Sequence, residues 1–249
     1  MTGERLLVTL CTYNEAENLV QLIPEIHQRA PQADILVIDD NSPDGTGRLA
    51  DEMAARDSRI HVLHRTGKLG LGTATLAGFR YAIEKDYDYV LNLDADFSHH
   101  PRHIPELLAL METADVAIGS RYVPGGGVIG WGLRRHFMSQ GVNWYARLLL
   151  GLKTHDNSGS FRCYRVSRLA ELDLDRIRAR GYAFQEEILY RCRRIGCRFA
   201  ESPITFEDRR YGQSKINMKE AVSALIVILR LGWENVRRLP VRRHVTSVS

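Results

Sequence analysis

Two aspartates one residue apart, Asp94 and Asp96, close the apolar run Tyr89-Val90-Leu91-Asn92-Leu93. The run reads as a short buried strand, and an extended backbone turns residues two apart to the same side. Convergent carboxylates at a buried strand end are costly unless a cation offsets them. Their oxygens suit a hard divalent ion, Mg²⁺ or Mn²⁺, of the kind that joins protein carboxylates to substrate phosphates. The same pair also suits capping of the helix after Pro101, so the rest of the chain has to decide.

Arg209-Arg210-Tyr211-Gly212-Gln213-Ser214-Lys215 carries complementary chemistry. Arginine grips a phosphate with two donors, and lysine adds a point charge. With a carboxylate-bound metal, Arg209 and Lys215 would complete a diphosphate clamp. Gly67-Lys68-Leu69-Gly70-Leu71-Gly72 suits either a phosphate cradle or a tight turn, and lacks both the Walker ending and the Rossmann spacing. His99, His100 and His103 flank Pro101 and read as the start of the next helix, lining the site.

The elements that must position these residues alternate strand and helix over the first 120 positions. Arg5–Leu10, Asp34–Ile38, Ile60–Leu63, Tyr89–Leu93 and Asp115–Gly119 read as strands. The first helix follows Asn14, which reads as its cap with Glu17 as capping-box partner. Others run through Leu49–Ala54, Thr73–Lys85 and Ile104–Met111. Such alternation predicts an open, mostly parallel α/β sheet with helices on both faces, binding ligands beyond the carboxyl ends of its strands. Thr12–Glu15, Asp39–Asp40 and Asp94–Asp96 all fall at such ends, so three motifs share one edge.

After Gly119 a loop to Gly127 precedes a helix at Arg134–Leu150, a strand at Asp156–Arg165, a helix at Tyr182–Arg194 and a strand at Cys197–Glu207. The last helix, Lys219–Arg238, has an apolar centre too short to span a bilayer. It suits packing on the body or lying in a membrane interface, with Arg237, Arg238, Arg242 and Arg243 toward anionic headgroups. Residues 1–215 therefore read as the α/β domain and 216–249 as a C-terminal amphipathic helix and basic tail.

With 44% hydrophobic and 26% charged residues the 249-residue chain matches an ordinary globular protein. The net charge of +4 comes with clustered arginines, but no zinc-finger spacing or RNA-binding aromatic signature directs them to nucleic acid. Cys11, Cys163, Cys192 and Cys197 form no C-x-x-C pair, which argues against a structural zinc site or a disulfide scaffold. Without a signal peptide or an 18-residue apolar span, the expectation is a cytoplasmic protein, peripheral on the cytoplasmic face of a membrane.

Taken in order, the motifs carry a resemblance: Thr12–Glu15, Val37–Thr46, Gly67–Gly72, Asp94–Pro101, Gly119–Tyr122, Ser160–Arg165 and Arg209–Lys215. The chain resembles the dolichol-phosphate (polyprenol-phosphate) mannose synthases, family-2 glycosyltransferases of GT-A fold, from about Leu7 to Lys215. The resemblance implies inverting transfer of mannose from GDP-mannose to a dolichyl or polyprenyl phosphate, for glycan or glycolipid synthesis, with Mg²⁺ or Mn²⁺. By it, Cys11, Tyr13, Glu15, Ile38, Asp40 and Ala95 hold the nucleotide sugar; Asp94, Asp96 and Ser98 hold the metal. Arg121, Arg135 and Ser139 receive the lipid phosphate, and Arg209 and Lys215 clamp the diphosphate. Many relatives carry transmembrane helices after this domain; this chain resembles the type that reaches the membrane by its own surface or through a partner subunit.

The residue chemistry accords with that mechanism. The leaving diphosphate needs its charge neutralised, and the acceptor, a phosphate monoester with a second pKa of about 6, is already largely dianionic at neutrality. No general base is required, and positioning supplies much of the rate. Competing readings are a same-fold transferase using UDP-glucose, UDP-GlcNAc or another acceptor, and a non-catalytic nucleotide-sugar-binding protein. A nucleotidyltransferase would carry its glycine-rich loop after the first strand, where Thr12-Tyr13-Asn14-Glu15 stands.

Overall fold

The computed structural model describes residues 3–207 and 218–237. Strand and helix alternate as β1 (Leu6–Thr12), α1 (Ala16–Arg29), β2 (Asp34–Asp39), α2 (Thr46–Ala54), β3 (Ile60–His64), α3 (Leu71–Glu84) and β4 (Tyr89–Asp94). A 3-10 turn at Pro101–His103 leads into α4 (Ile104–Leu110) and β5 (Val116–Ser120). Then come β6 (Gly127–Ile129), α5 (Leu133–Leu150), β7 (Arg162–Arg165), α6 (Val166–Ala170), α7 (Phe184–Arg194), β8 (Phe199–Pro203), β9 (Thr205–Glu207) and α8 (Met218–Val236).

Seven strands form one sheet in the order β3-β2-β1-β4-β7-β5-β8. Only β7 runs antiparallel to its neighbours, so the sheet is mostly parallel, as the alternation predicts. The chain winds outward from β1 to β3, then returns through α3 to place β4 on the other side of β1. That reversal opens a crevice between the carboxyl ends of β1 and β4, where such sheets bind ligands.

Both faces of the sheet are covered, which is why its strands read as unbroken apolar runs. Leu7, Leu36, Ile38 and Val90 join the core formed with α3, α6, α7 and α8. Val8, Leu10, Val37 and Leu91 join the core formed with α1, α2 and α4. On α8, Ala224, Ile228 and Leu231 belong to the former core. At the α5–α8 contact a Cβ on Gly232 would stand 3.2 Å from the Leu149 Cβ, so the small residue permits the close approach.

Several local expectations give way to tertiary partners. Asn14 does not cap α1: it adopts a left-handed φ of 61°, and Glu15 occupies the cap position with no side-chain cap bond. The N–H groups there donate to the β2–α2 loop and the first residue of α2 instead, Asn14 to Ser42 Oγ (3.1 Å), Glu15 to Thr46 Oγ1 (3.0 Å) and Ala16 to Asp44 Oδ2 (3.3 Å). The expected strand at Asp156–Arg165 is confined to β7, because Asp156 Oδ1 accepts the Gly159 N–H and folds the segment into a turn. The expected strand at Cys197–Glu207 divides at Pro203: β8 stays in the main sheet, and β9 leaves it to pair with β6. The Ser120–Gly127 loop accordingly ends in β6, and a backbone bridge between His99 and Phe206 draws β9 against the turn after β4.

Candidate active site

Two clefts meet at the end of β4. The first lies over the carboxyl ends of β1 and β2 and is lined by Cys11, Tyr13, Glu15, Asp40, Ala95 and Lys68, among others. The second lies on the β5 side and is lined by Ser98, His99, Arg121, Arg135, Ser139 and Glu186, among others. Asp94, Asp96 and Tyr182 line both. Open to solvent at their mouths, the two clefts span about 1100 and 950 Å³.

Side chains that answer one another build the first cleft. Asp39 faces away from it, accepting the Thr12 hydroxyl (3.0 Å) and the Ser42 N–H (3.0 Å), and so ties the β1 and β2 loops together. Asp40 lines the cleft and accepts 2.7 Å from Arg65 Nη1, while Arg65 Nη2 donates to Thr73. Burial raises the Asp40 pKa, against the opposing pull of Arg65. Lys68 Nζ sits 4.4 Å from the centre of the Tyr13 ring, a cation over an aromatic face. Burial pushes the Cys11 thiol up to about 12, which leaves it an uncharged wall rather than a nucleophile.

The glycine-rich stretch serves packing. Gly70 has φ 99°, and a Cβ there would lie 2.5 Å from the Arg180 carbonyl oxygen, so no other residue fits. The Gly72 N–H donates to the same carbonyl (2.8 Å), which presses the loop against the segment carrying Gly181 and Tyr182. Glu187, fully buried, accepts the Arg178 and Ala179 N–H groups (3.1 and 3.0 Å) and anchors that segment from the other side.

At the junction, Asp94 Oδ1 accepts the Ser160 hydroxyl (2.7 Å), and its Oδ2 lies 3.5 Å from His99 Nδ1. Asp96 Oδ1 accepts the Ser98 N–H (3.0 Å) and hydroxyl (2.6 Å). Ser98 thus orients Asp96, its hydroxyl proton turned to the carboxylate. The turn is held by Phe97 at φ 62°, a costly left-handed conformation for a bulky residue. Asn14 and Asn41, at φ 61° and 56°, follow β1 and β2, so left-handed turns recur along the same edge. The oxygen donors at the junction fit a hard divalent ion with room for substrate oxygens. No group of three or more His, Cys, Asp or Glu side chains is placed to hold a metal among the described residues. His99 is enclosed by Phe161 and Phe206, and burial lowers its pKa toward the neutral form.

A different set of elements builds the second cleft. Arg121, just past β5, pairs with buried Asp156 through Nε and Nη2, both at 2.7 Å. Burial works against the Arg121 charge, but Asp156 more than offsets it and its pKa rises; Asp156, desolvated yet paired, is held below the usual carboxylate range. The Arg135 guanidinium stands 4.1 Å from the centre of the Trp131 ring, and Ser139 Oγ accepts the Tyr122 hydroxyl (2.7 Å). Arg162, fully buried on β7, donates to the carbonyls of Asn157 (2.7 Å) and Gln185 (2.8 Å), pinning two cleft walls together.

The structure therefore brings Cys11, Tyr13, Glu15, Asp40 and Ala95 to one cleft, Ser98, Arg121, Arg135 and Ser139 to the other, and Asp94 and Asp96 to both. Ile38 lines neither: it is fully buried in the core, beneath Gly78 of α3. Arg209 and Lys215 lie outside the described residues. His99 lines the site as expected, whereas His100 caps the 3-10 turn, its side chain accepting the Arg102 N–H (3.3 Å). Sequence reasoning gave no role to Asp156, Arg162, Tyr182, Gln185 and Glu186. Arg162, a charge inside a β run, was a visible signal; Asp156 and Glu186 gave none without their partners.

The sequence signature of glycosyl transferase family 2 spans residues 7–173. An undecaprenyl-phosphate mannosyltransferase of Micrococcus luteus is 44% identical, over 94% of this chain and 98% of that protein. A polyprenol monophosphomannose synthase of Mycolicibacterium smegmatis is 46% identical, over 88% of this chain and 84% of that one. Among solved structures, glucosyl-3-phosphoglycerate synthase of Mycobacterium tuberculosis, in complex with Mn²⁺, UDP and phosphoglyceric acid, superposes with a TM-score of 0.66 at 19% identity. That superposition spans 92% of this chain and 79% of the other, and it establishes a shared GT-A fold. With its family signature covering β1 through α6, this chain belongs to glycosyltransferase family 2.

Proposed function

We propose that this glycosyltransferase moves mannose from GDP-mannose to a polyprenyl phosphate with inversion at the sugar carbon. The observation that carries the reading is the meeting of two clefts at Asp94 and Asp96, one at the sheet's switch point and one bearing two arginines. The polyprenol-phosphate relatives support the acceptor and the sugar. On this reading the nucleotide occupies the cleft of Tyr13, Glu15 and Asp40. Arg121 and Arg135, with Ser139, hold the acceptor phosphate in line with the sugar carbon.

Asp94 and Asp96 are the residues to hold a divalent ion, Mg²⁺ or Mn²⁺, which would supply charge neutralisation to the leaving diphosphate. Ser98 supports Asp96. Arg209 and Lys215 stay assigned to the diphosphate on sequence grounds. The Arg121–Asp156 pair fixes the guanidinium before substrate arrives, so little reorganisation is needed at the reaction. The acceptor oxygen is already anionic and attacks without a base.

The lipid acceptor also gives a role to the apolar surface. No helix among the described residues is long and apolar enough to cross a membrane. Yet α5 exposes Leu133, Phe137, Trp144 and Leu148, and α8 exposes Val222, Ile226, Leu229 and Trp233. Both sets follow helical spacing, on helices that pack together and contribute Arg135, Ser139 and Ala224 to the second cleft. We assign these stripes to peripheral contact with the membrane surface, with α8 as an interfacial segment; the basic residues Arg238, Arg242 and Arg243 lie outside the described residues.

The test is transfer by the purified chain from radiolabelled GDP-mannose to polyprenyl phosphate in detergent, with Mg²⁺ or Mn²⁺ and with EDTA. Organic-extractable label that EDTA abolishes is the expected result. Label that persists in EDTA removes the metal assignment. Binding of GDP-mannose without transfer points to another acceptor or a required partner subunit, and preference for UDP-glucose or UDP-GlcNAc overturns the donor.

A further inference from the structure

The second cleft has two unlike walls. One carries Arg121 and Arg135, which suit a phosphate. The other is the first turn of α7, where Gln185 and Glu186 line the cleft while each is only 2% exposed. Among the described residues, Glu186 Oε2 and Gln185 Nε2 are buried and have no hydrogen-bond partner. The neighbouring Glu187 shows what a satisfied carboxylate on this helix looks like, its oxygens taken by two backbone N–H groups and Arg191.

A carboxylate facing the cleft is misplaced if the cleft takes only a phosphate, since like charges repel. It fits a ligand that brings hydroxyl groups. Buried polar atoms without partners are rare in native proteins unless a ligand or water completes them. Burial pushes the Glu186 pKa up to about 7, so both its forms are accessible at neutrality, and a hydroxyl can donate to either. Tyr182, one turn before Glu186, lines both clefts and places this wall next to the carboxylate junction.

We propose that Gln185 and Glu186 are specificity-determining residues that hydrogen-bond hydroxyls of the transferred hexose, Glu186 as acceptor and Gln185 as amide donor. The inference rests on the sugar-nucleotide transferase reading of the site, but not on which nucleotide or which hexose is used. A site built this way discriminates strongly against a sugar lacking the recognised hydroxyl, because the buried groups are then left unpaired.

The experiment is calorimetric titration with Mn²⁺ of GDP-mannose, UDP-glucose and UDP-GlcNAc, each against its bare nucleoside diphosphate. It is run on the intact chain and on Glu186→Ala and Glu186→Gln. Expected is a tenfold or greater fall, in Glu186→Ala, of the affinity ratio between the preferred sugar nucleotide and its diphosphate. The diphosphate itself binds unchanged, and Glu186→Gln, which keeps an acceptor, restores part of the ratio. An unchanged ratio, or an equal loss for diphosphate and sugar nucleotide, overturns the proposal. If a uridine donor is preferred, the mannose reading fails while the ratio for that donor still decides the role of Glu186. Single-deoxy analogues of the preferred donor add a test without mutation. One analogue should lose tenfold or more on the wild-type chain and little on Glu186→Ala; equal losses on both chains contradict the assignment.

Discussion

The two clefts differ in how their polar groups are satisfied. In the nucleotide-side cleft the carboxylates are already engaged: Glu15 by Asn18, Asp40 by Arg65. In the acceptor-side cleft Glu186 Oε2, Gln185 Nε2 and Trp131 Nε1 are buried without hydrogen-bond partners among the described residues. The first is assembled from strand ends with these groups already paired; on our proposal a ligand completes the second. Substitutions in the first cleft should disturb scaffold and ligand together, whereas those on the α7 wall should separate the two.

The largest effect is expected at the junction the clefts share. Asp96→Ala should lower turnover by about a thousandfold or more, since a metal's stabilisation of the leaving group amounts to several kcal/mol. Its far-ultraviolet circular dichroism should stay native; near-normal turnover would remove Asp96 from the chemistry.

A crossed pair sharpens the contrast. Arg135→Ala should raise KM for the lipid phosphate about 10- to 100-fold, the loss of a charged hydrogen bond, and leave GDP affinity alone. Asp40→Asn should do the reverse, weakening GDP about tenfold by calorimetry with little change in acceptor KM. If both variants shift the same parameter, the division into a donor and an acceptor cleft is wrong.

Next comes the surface. Replacing Trp144 and Trp233 together by serine should weaken partition onto anionic vesicles about tenfold, since each exposes more than half of its side chain. Transfer to a short, water-soluble prenyl phosphate should be spared. Unchanged flotation with vesicles would detach the membrane role from these helices.

The smallest effect separates Glu186 from its neighbours. Its pKa lies at about 7 in the folded chain against an ordinary 4.5, because burial outweighs the Arg162 and Arg121 charges while Asp156 adds to the rise. The folded state therefore holds this proton more tightly than the unfolded state. The stability it contributes is complete below the ordinary value and is lost as pH rises toward 7. Glu186→Gln should then raise Tm by about 2–6 °C near pH 8 and by little near pH 4. An equal gain at both pH values would assign the effect to packing instead.

What the amino-acid sequence determined by itself was the first half of the fold and the edge on which chemistry occurs. Parallel strands covered on both faces must be continuous apolar runs, so β1, β2 and β4 were visible. Polar residues that end such runs, Tyr13, Asp40, Asp94 and Asp96, fall at the crevice by topology alone. These are local signals, carried by residues adjacent in the chain.

Tertiary structure decided the rest, because the deciding partners are far apart in the chain. The amides at the start of α1 are satisfied from the β2–α2 loop and the first residue of α2, which no local capping rule supplies. Gly70 is required by the Arg180 carbonyl, more than a hundred residues later. Arg121 owes its fixed charge to Asp156, which reads from sequence as the start of a strand. Glu186 and Glu187 are adjacent and chemically identical, yet one helical step turns the first into the cleft and the second onto buried backbone amides. Residue type announces a carboxylate; only the packing around α7 determines whether it supports the fold or meets a ligand.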